Sequence, residues 1–256
     1  MKLIWSGSVA IDILRRIISQ APKPEVQTKI AQRCAETIGL HLTMLILTVS
    51  DANLRGRHSC ALALFRAMED ALDCFASVSL IPGTAEKWAK GKLCASDAAR
   101  FWEDKISDRV LPTGEKAIEY RKTIRNKFNN FAHCTPYLTN WNIYPEFNSD
   151  MMPKSGGKLT AQFRINHEER ILEQNAIRIG AYLAAHTLEF IQVLEKAYER
   201  YLTENPNLKR ELSNSRDELE NVLKTEFGAV NLEDIPPELK EPIIKDPNNP
   251  SLVMQL

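Results

Sequence analysis

No charge of one sign dominates this chain. Its 33 Lys and Arg residues balance 33 Asp and Glu residues over 256 positions, so no long-range field draws the whole molecule onto a nucleic acid or an anionic membrane. Any such binding has to use a local patch. Glycine is scarce, with ten residues, and none falls in the GxGxxG or GxxxxGK[ST] spacing that cradles phosphates, which disfavours dinucleotide-binding and nucleotide-driven motor chemistry. HExxH and GxSxG are missing as well, removing the usual signals of metal hydrolysis and acyl transfer. The five cysteines, Cys34, Cys60, Cys74, Cys94 and Cys134, are odd in number and lack CxxC or Cys/His ligand spacing, so neither a disulfide framework nor a zinc site is indicated.

Long apolar runs are lacking too. The longest, Ile38 to Val49, contains His41, Thr43 and Thr48 and is about 12 residues long, against the roughly 20 that cross a bilayer. It reads as a buried helix, and no membrane association is expected. Asp12, Arg15 and Arg16 interrupt the apolar start of the chain before a signal-peptide pattern is complete, so export is not expected and reduced thiols in the cytoplasm fit best.

What the sequence does contain is helical periodicity, with Gly and Pro between the periodic runs. The class is mostly α. Helices are expected near 8–20, 25–50, 57–80, 84–92, 96–109 and 114–133, with Thr84 and Ser96 as N-caps. Ala61, Leu64, Phe65, Met68, Leu72, Phe75, Ala76 and Ser79 form one stripe, marking 57–80 as a core element. Residues 137–144 and 159–165 instead alternate and are rich in β-formers, with Pro153 to Gly157 between them. This predicts a β-hairpin or extended arm inserted at 134–166. A long helix is expected over 167–204, with Ile171, Ala176, Ile179, Tyr182, Leu183, His186, Phe190, Val193 and Leu194 as its core stripe. The chain thus divides into a helical bundle (1–204), a charged helix (205–227) and an extended, flexible Pro-rich tail (228–256).

One segment carries the chemistry that remains. Between Pro112 and Cys134 five Lys/Arg oppose two Glu, a local excess of positive charge where a phosphate would go. Ile118, Ile124, Phe128 and Phe131 hold this helix on the core, while Arg121, Arg125, Asn126, Asn129 and His133 offer donors and a titratable imidazole. Phosphodiester cleavage without metal needs a group that exchanges protons near neutral pH and a fixed cation for the phosphorane charge, and a His with an Arg nearby is the smallest such set.

Arg125-Asn126 followed by His133, late on a helix of an all-α bundle, resembles the HEPN superfamily of helical-bundle ribonucleases, and Leu64-Phe65-Arg66-Ala67-Met68-Glu69-Asp70-Ala71-Leu72 resembles the preceding helix of an uncharacterised bacterial branch. The resemblance covers roughly 57–133 and 167–204. The family places four to six residues between its Arg and His; this chain has seven. On a continuous helix eight steps separate two side chains by about 80° and 12 Å, whereas Asn126 is nearly on the face of His133 and Asn129 is its i−4 neighbour.

The resemblance implies a metal-independent endoribonuclease of toxin or phage-defence type, without cofactor, cleaving RNA by 2'-hydroxyl attack at a cleft between two copies of the chain. His133 would be general acid or base, Arg125 the stabiliser of the phosphorane and Asn126 the positioner, supported by Arg66, Glu69, Asp70, Asn129 and Arg121. RNA, an antitoxin or another protein partner, and a second copy are the partners implied. Plainer readings stand beside these. His133 at a helix C-terminus can cap free carbonyls, Arg125 and Lys127 can be solvated charges on an exposed face, Arg66 with Glu69 and Asp70 is a helix-stabilising pattern that can also orient Arg125 or His133 from the next helix, and His58 reads as a surface residue. The alternative function is a non-catalytic helical module binding a protein or nucleotide partner.

Overall fold

The computed structural model describes residues 11–18, 20, 28–106, 116–133 and 173–222. These residues form nine helices and, among the described residues, no strand. The hairpin expected at 134–166 and the tail at 228–256 lie outside them.

Residues 11–18 form α1, followed by α2 (Lys29–Leu54), α3 (His58–Leu80), α4 (Thr84–Ala89), α5 (Ala95–Ile106), α6 (Ala117–Ala132), α7 (Glu173–Ala197), α8 (Glu199–Glu204) and α9 (Pro206–Val222). α3 is the central helix and packs against α2, α4, α5, α6 and α7. Its stripe enters the core as the periodicity requires: Ala61, Phe65, Met68, Leu72, Phe75 and Ala76 are buried. Phe65 stacks on Phe128 of α6 at 5.0 Å and meets Tyr182 of α7 edge-on at 5.9 Å, and Phe75 meets Phe190 of α7 edge-on at 5.0 Å. These offset and T-shaped contacts are the arrangements that ring quadrupoles favour.

The helix ends have local causes. Thr28 caps α2 by accepting the Ala31 N–H at 3.0 Å. α2 stops where Gly56 takes a left-handed φ of 70°, letting the Arg57 N–H reach the Ala52 carbonyl and the Gly56 N–H the Asn53 carbonyl. That Schellman pairing satisfies the last carbonyls and turns the chain into α3. Gly91 repeats it after α4, with the Lys92 N–H on the Lys87 carbonyl, which is why α4 ends at Ala89 and not near 92.

Other sequence-based boundaries are corrected. Thr84 is the first residue of α4 rather than its cap; the cap is Gly83, left-handed at φ 78°. Ser96 lies inside α5, which begins at Ala95. The continuous helix expected to 204 is broken at Tyr198, whose φ of −124° and ψ of 27° leave the helical region. Pro206 opens α9, where its missing N–H costs nothing. α9 docks on α7 through Leu212 and Leu219 and carries the Arg216–Glu195 ion pair at 3.0 Å.

α2 departs from its expected character. It supplies eleven buried residues to the bundle, yet Leu40, Met44 and Leu47 on its other side are exposed, so the apolar run is half-covered rather than buried. By length and composition α2 could cross a membrane, with 44% of the relevant window buried inside the protein.

Candidate functional site

Three helices bring their polar positions to one seam. On α3, Arg66, Glu69, Asp70 and Asp73 fall at the three- and four-residue steps that share a helix face. On α6, Arg121, Arg125 and Asn129 step by four, and on α7 Tyr182, His186 and Glu189 step by four and then three. α6 runs antiparallel to α3, so Asn129 meets Arg66, Arg125 meets Asp70, and Arg121 meets Asp73.

Asp73 is the centre. It is fully buried and accepts from both Arg121 and Arg125, the latter at 2.8 Å. Arg125 also donates to Asp70 at 2.7 Å, and its Nε lies 3.9 Å from the Glu69 carboxylate. Arg121 completes its fork on Glu189 at 2.9 Å. Arg66 donates to Asn129 at 2.6 Å and pairs with the same Asp70 oxygen that Arg125 uses. The seam is partly open at this end, where the Arg66 and Asp70 side chains keep 23% and 31% of their exposure, and closed at Asp73.

Burial pushes the Asp73 carboxyl up to about 6 although Arg121 and Arg125 pull it down, so at neutral pH it remains a carboxylate. Burial opposes the charge on Arg121 and Arg125 too, but the surrounding carboxylates outweigh it and hold both above the ordinary guanidinium value. His186 lies under this network. Burial alone would lower its pKa, but Glu69, Glu189 and the Tyr182 carbonyl together raise it. Its Nδ1 sits 2.7 Å from the Tyr182 carbonyl and its Nε2 3.6 Å from Glu69. With Nδ1–H bonded to a carbonyl, a neutral ring would turn a lone pair toward the Glu69 carboxylate, whereas the imidazolium turns an N–H to it. Glu69 Oε2 is buried without a hydrogen bond, which adds to the pull on a proton.

The seam is therefore saturated with its own counter-charges. Three guanidinium groups face four carboxylates, and His186 supplies the fourth positive charge when protonated. Arg125, read from sequence as an exposed-face charge or a phosphate ligand, is buried and committed to α3. Of the other positions singled out in the sequence, Arg66, Glu69, Asp70, Arg121 and Asn129 lie in the seam. Asn126 is exposed. His133 is the exposed C-cap of α6, its backbone N–H on the Asn129 carbonyl, two turns beyond Arg125. His58, read as a surface residue, is buried, with Nδ1 3.2 Å from the Asn53 amide oxygen and its pKa lowered by burial.

Asp73, His186 and Glu189 were not legible as site residues. The one signal for Asp73 was an acid seven positions after Arg66, between apolar Leu72 and core Phe75. His186 falls in the core stripe of α7, and Glu189 lies between its members His186 and Phe190. Among the described residues no cluster of three or more His, Cys, Asp or Glu can hold a metal ion. Compared with protein-family models, curated proteins and solved structures, the chain matches none.

Proposed function

We propose that this chain is a non-catalytic helical module that binds a protein partner through the outer face of α2. The observation that carries this reading is the row of uncovered apolar side chains on α2, with Leu40, Met44 and Leu47 exposed on a helix whose other side is locked into the core. A contiguous apolar face of that kind marks an interaction site more often than a random surface. The charged seam supports the same conclusion. Its arginines already have carboxylate partners, so a phosphate at Arg125 would have to displace the buried Asp73 and the partly exposed Asp70 from the guanidinium, leaving Asp73 a buried carboxylate with one partner fewer.

A second reading, metal-independent RNA cleavage by a HEPN-like bundle of toxin or phage-defence type, is favoured by one observation. Asp70 holds Arg125 on the same helix that ends in the exposed His133, which is how an acid from the preceding helix would orient an active-site arginine. In that reading a second copy completes the cleft, an inserted hairpin at 134–166 forms an arm, an antitoxin is a separate protein partner, and His133 exchanges the proton.

Incubation of the purified protein with structured and single-stranded RNAs separates the two. The module reading expects intact RNA, and no difference between the parent chain and His133→Ala. Cleavage that His133→Ala reduces by about 10² to 10⁴, the range for a general acid or base, and that a chelator does not affect, would replace the module with the ribonuclease.

A further inference from the structure

We infer that the partner covering α2 is a second copy of this chain, docked through the same helix in antiparallel orientation. The inference rests on the reading of α2 as the binding face and names its occupant.

The outer face of α2 is spaced for a partner helix. Ile30, Arg33, Thr37, Leu40, Met44, Leu47, Asp51 and Leu54 follow one another by three and four residues, the seam pattern that two packed helices share. All eight are exposed, and of their apolar members Met44 is the most so, at 59%. The opposite face, from Ala31 through Ile38 and Leu42 to Val49, is buried against the bundle. The helix is therefore held rigid with its seam turned outward. Asn53 bonds the Ala176 carbonyl at 2.9 Å, which puts the exposed Ile177 beside the Leu54 end and extends the apolar surface onto α7.

The seam is complementary to itself only when reversed. Placed antiparallel over its full length, it sets Ile30 against the partner's Leu54, Arg33 against the partner's Asp51, Thr37 against the partner's Leu47 and Leu40 against the partner's Met44, and the two-fold axis repeats each contact. Both ends of the strip are then apolar pairs, and two Arg–Asp pairs flank an uncharged centre. A parallel arrangement would instead set Arg33 on Arg33 and Asp51 on Asp51, which repel. Asp51 is already bonded by Arg55 of its own helix at 2.9 Å, so in the dimer it would sit between two guanidinium groups. The strip is about 36 Å long and one helix wide. That is smaller than the roughly 800 Å² per partner of a standard stable interface, so the dimer is reversible and concentration-dependent.

The test uses the full chain. Light scattering and sedimentation from about 1 to 100 µM should show a monomer–dimer equilibrium. Met44→Glu should raise its dissociation constant by about a hundredfold or more, with the circular dichroism spectrum unchanged. Arg33→Asp and Asp51→Arg should each weaken association, and the double swap should restore it. Orientation is read by cross-linking in a Cys60→Ser, Cys94→Ser, Cys134→Ser background. Mixed Ile30→Cys and Leu54→Cys chains should join to each other, because the antiparallel register places those positions together and puts two Leu54 positions at opposite ends. A monomer over the whole range overturns the inference. So does a dimer indifferent to Met44→Glu, or one cross-linked between two Leu54→Cys positions. Each of these overturning outcomes removes a second copy as the occupant and leaves α2 as the face for a different protein, while the RNA assay tests separately whether the module is non-catalytic.

Discussion

Asp73 shows how much one residue can hold. Its carboxylate is fully buried and takes guanidinium groups from two positions of α6. Asp73→Ala leaves Arg121 and Arg125 sharing the remaining acids, and breaking a buried pair in this way costs about 3–5 kcal/mol. Asp70→Ala, at the partly open end, should cost less because water can replace it. Urea unfolding of the two variants checks the order, and equal losses would mean the seam is more hydrated than its burial indicates. Gly39 offers a second contest of magnitudes. An added Cβ would come within 2.6 Å of the Ile18 Cδ1 and 3.1 Å of the Phe75 ring, both in buried side chains. Gly39→Ala gains about 1 kcal/mol of helix propensity and meets an overpacking penalty of about 1–3 kcal/mol. The expected net effect is neutral to destabilising, and a raised melting temperature would show that α1 can shift away from α2.

Between elements, the seam makes α3, α6 and α7 sensitive to proton concentration. His186 is held above its ordinary pKa in the folded state by Glu69, Glu189 and the Tyr182 carbonyl. The folded chain therefore binds this proton more tightly than the unfolded chain, and the associated stability is present below the unfolded imidazole value, roughly 6.5, and lost as pH rises through the folded pKa. Asp73 has the same sign, but its window lies lower, between the unfolded carboxyl value of roughly 3.9 and its folded value of about 6. Above about pH 6.5 the His186 contribution should therefore lower the melting temperature, whereas the buried His58, with its lowered pKa, contributes a rise only up to about 6.5. His186→Phe, which keeps an aromatic ring beside Phe65 and Phe128, should flatten the fall. A variant with the parent's slope would assign the pH dependence to another group.

At the scale of the whole molecule, the bundle divides its work between two surfaces of α3's neighbours. α6 and α7 clamp α3 through matched charges, and α2 clamps it through apolar packing while turning a second apolar face outward. The outward face exposes apolar area, while the seam, partly open at Arg66 and Asp70 and closed at Asp73, pairs each of its three guanidinium groups with a carboxylate. The RNA assay and the α2 dimer test address these two halves separately.

Periodicity in the sequence alone determined the helical class, the position of the described helices to within a few residues, and the core stripe of α3, because a spacing of three and four is a local property that any neighbour rewards by burying it. The sequence singled out Arg66, Glu69, Asp70, Arg121 and Asn129 as supports of an RNA-cleaving site, and the packing of α6 and α7 on α3 instead pairs them with one another and with Asp73 and Glu189. What it could not determine was direction. Arg125 and Asn126 are adjacent in the chain and differ by 100° on the helix, and only the packing of α6 against α3 decides that Arg125 turns inward to Asp73 while Asn126 stays outside. The same holds for α2, whose run from Ile38 to Val49 is apolar on both faces. Composition cannot tell which face the bundle takes, because burial depends on how many neighbours reach the helix, and that is set by tertiary structure.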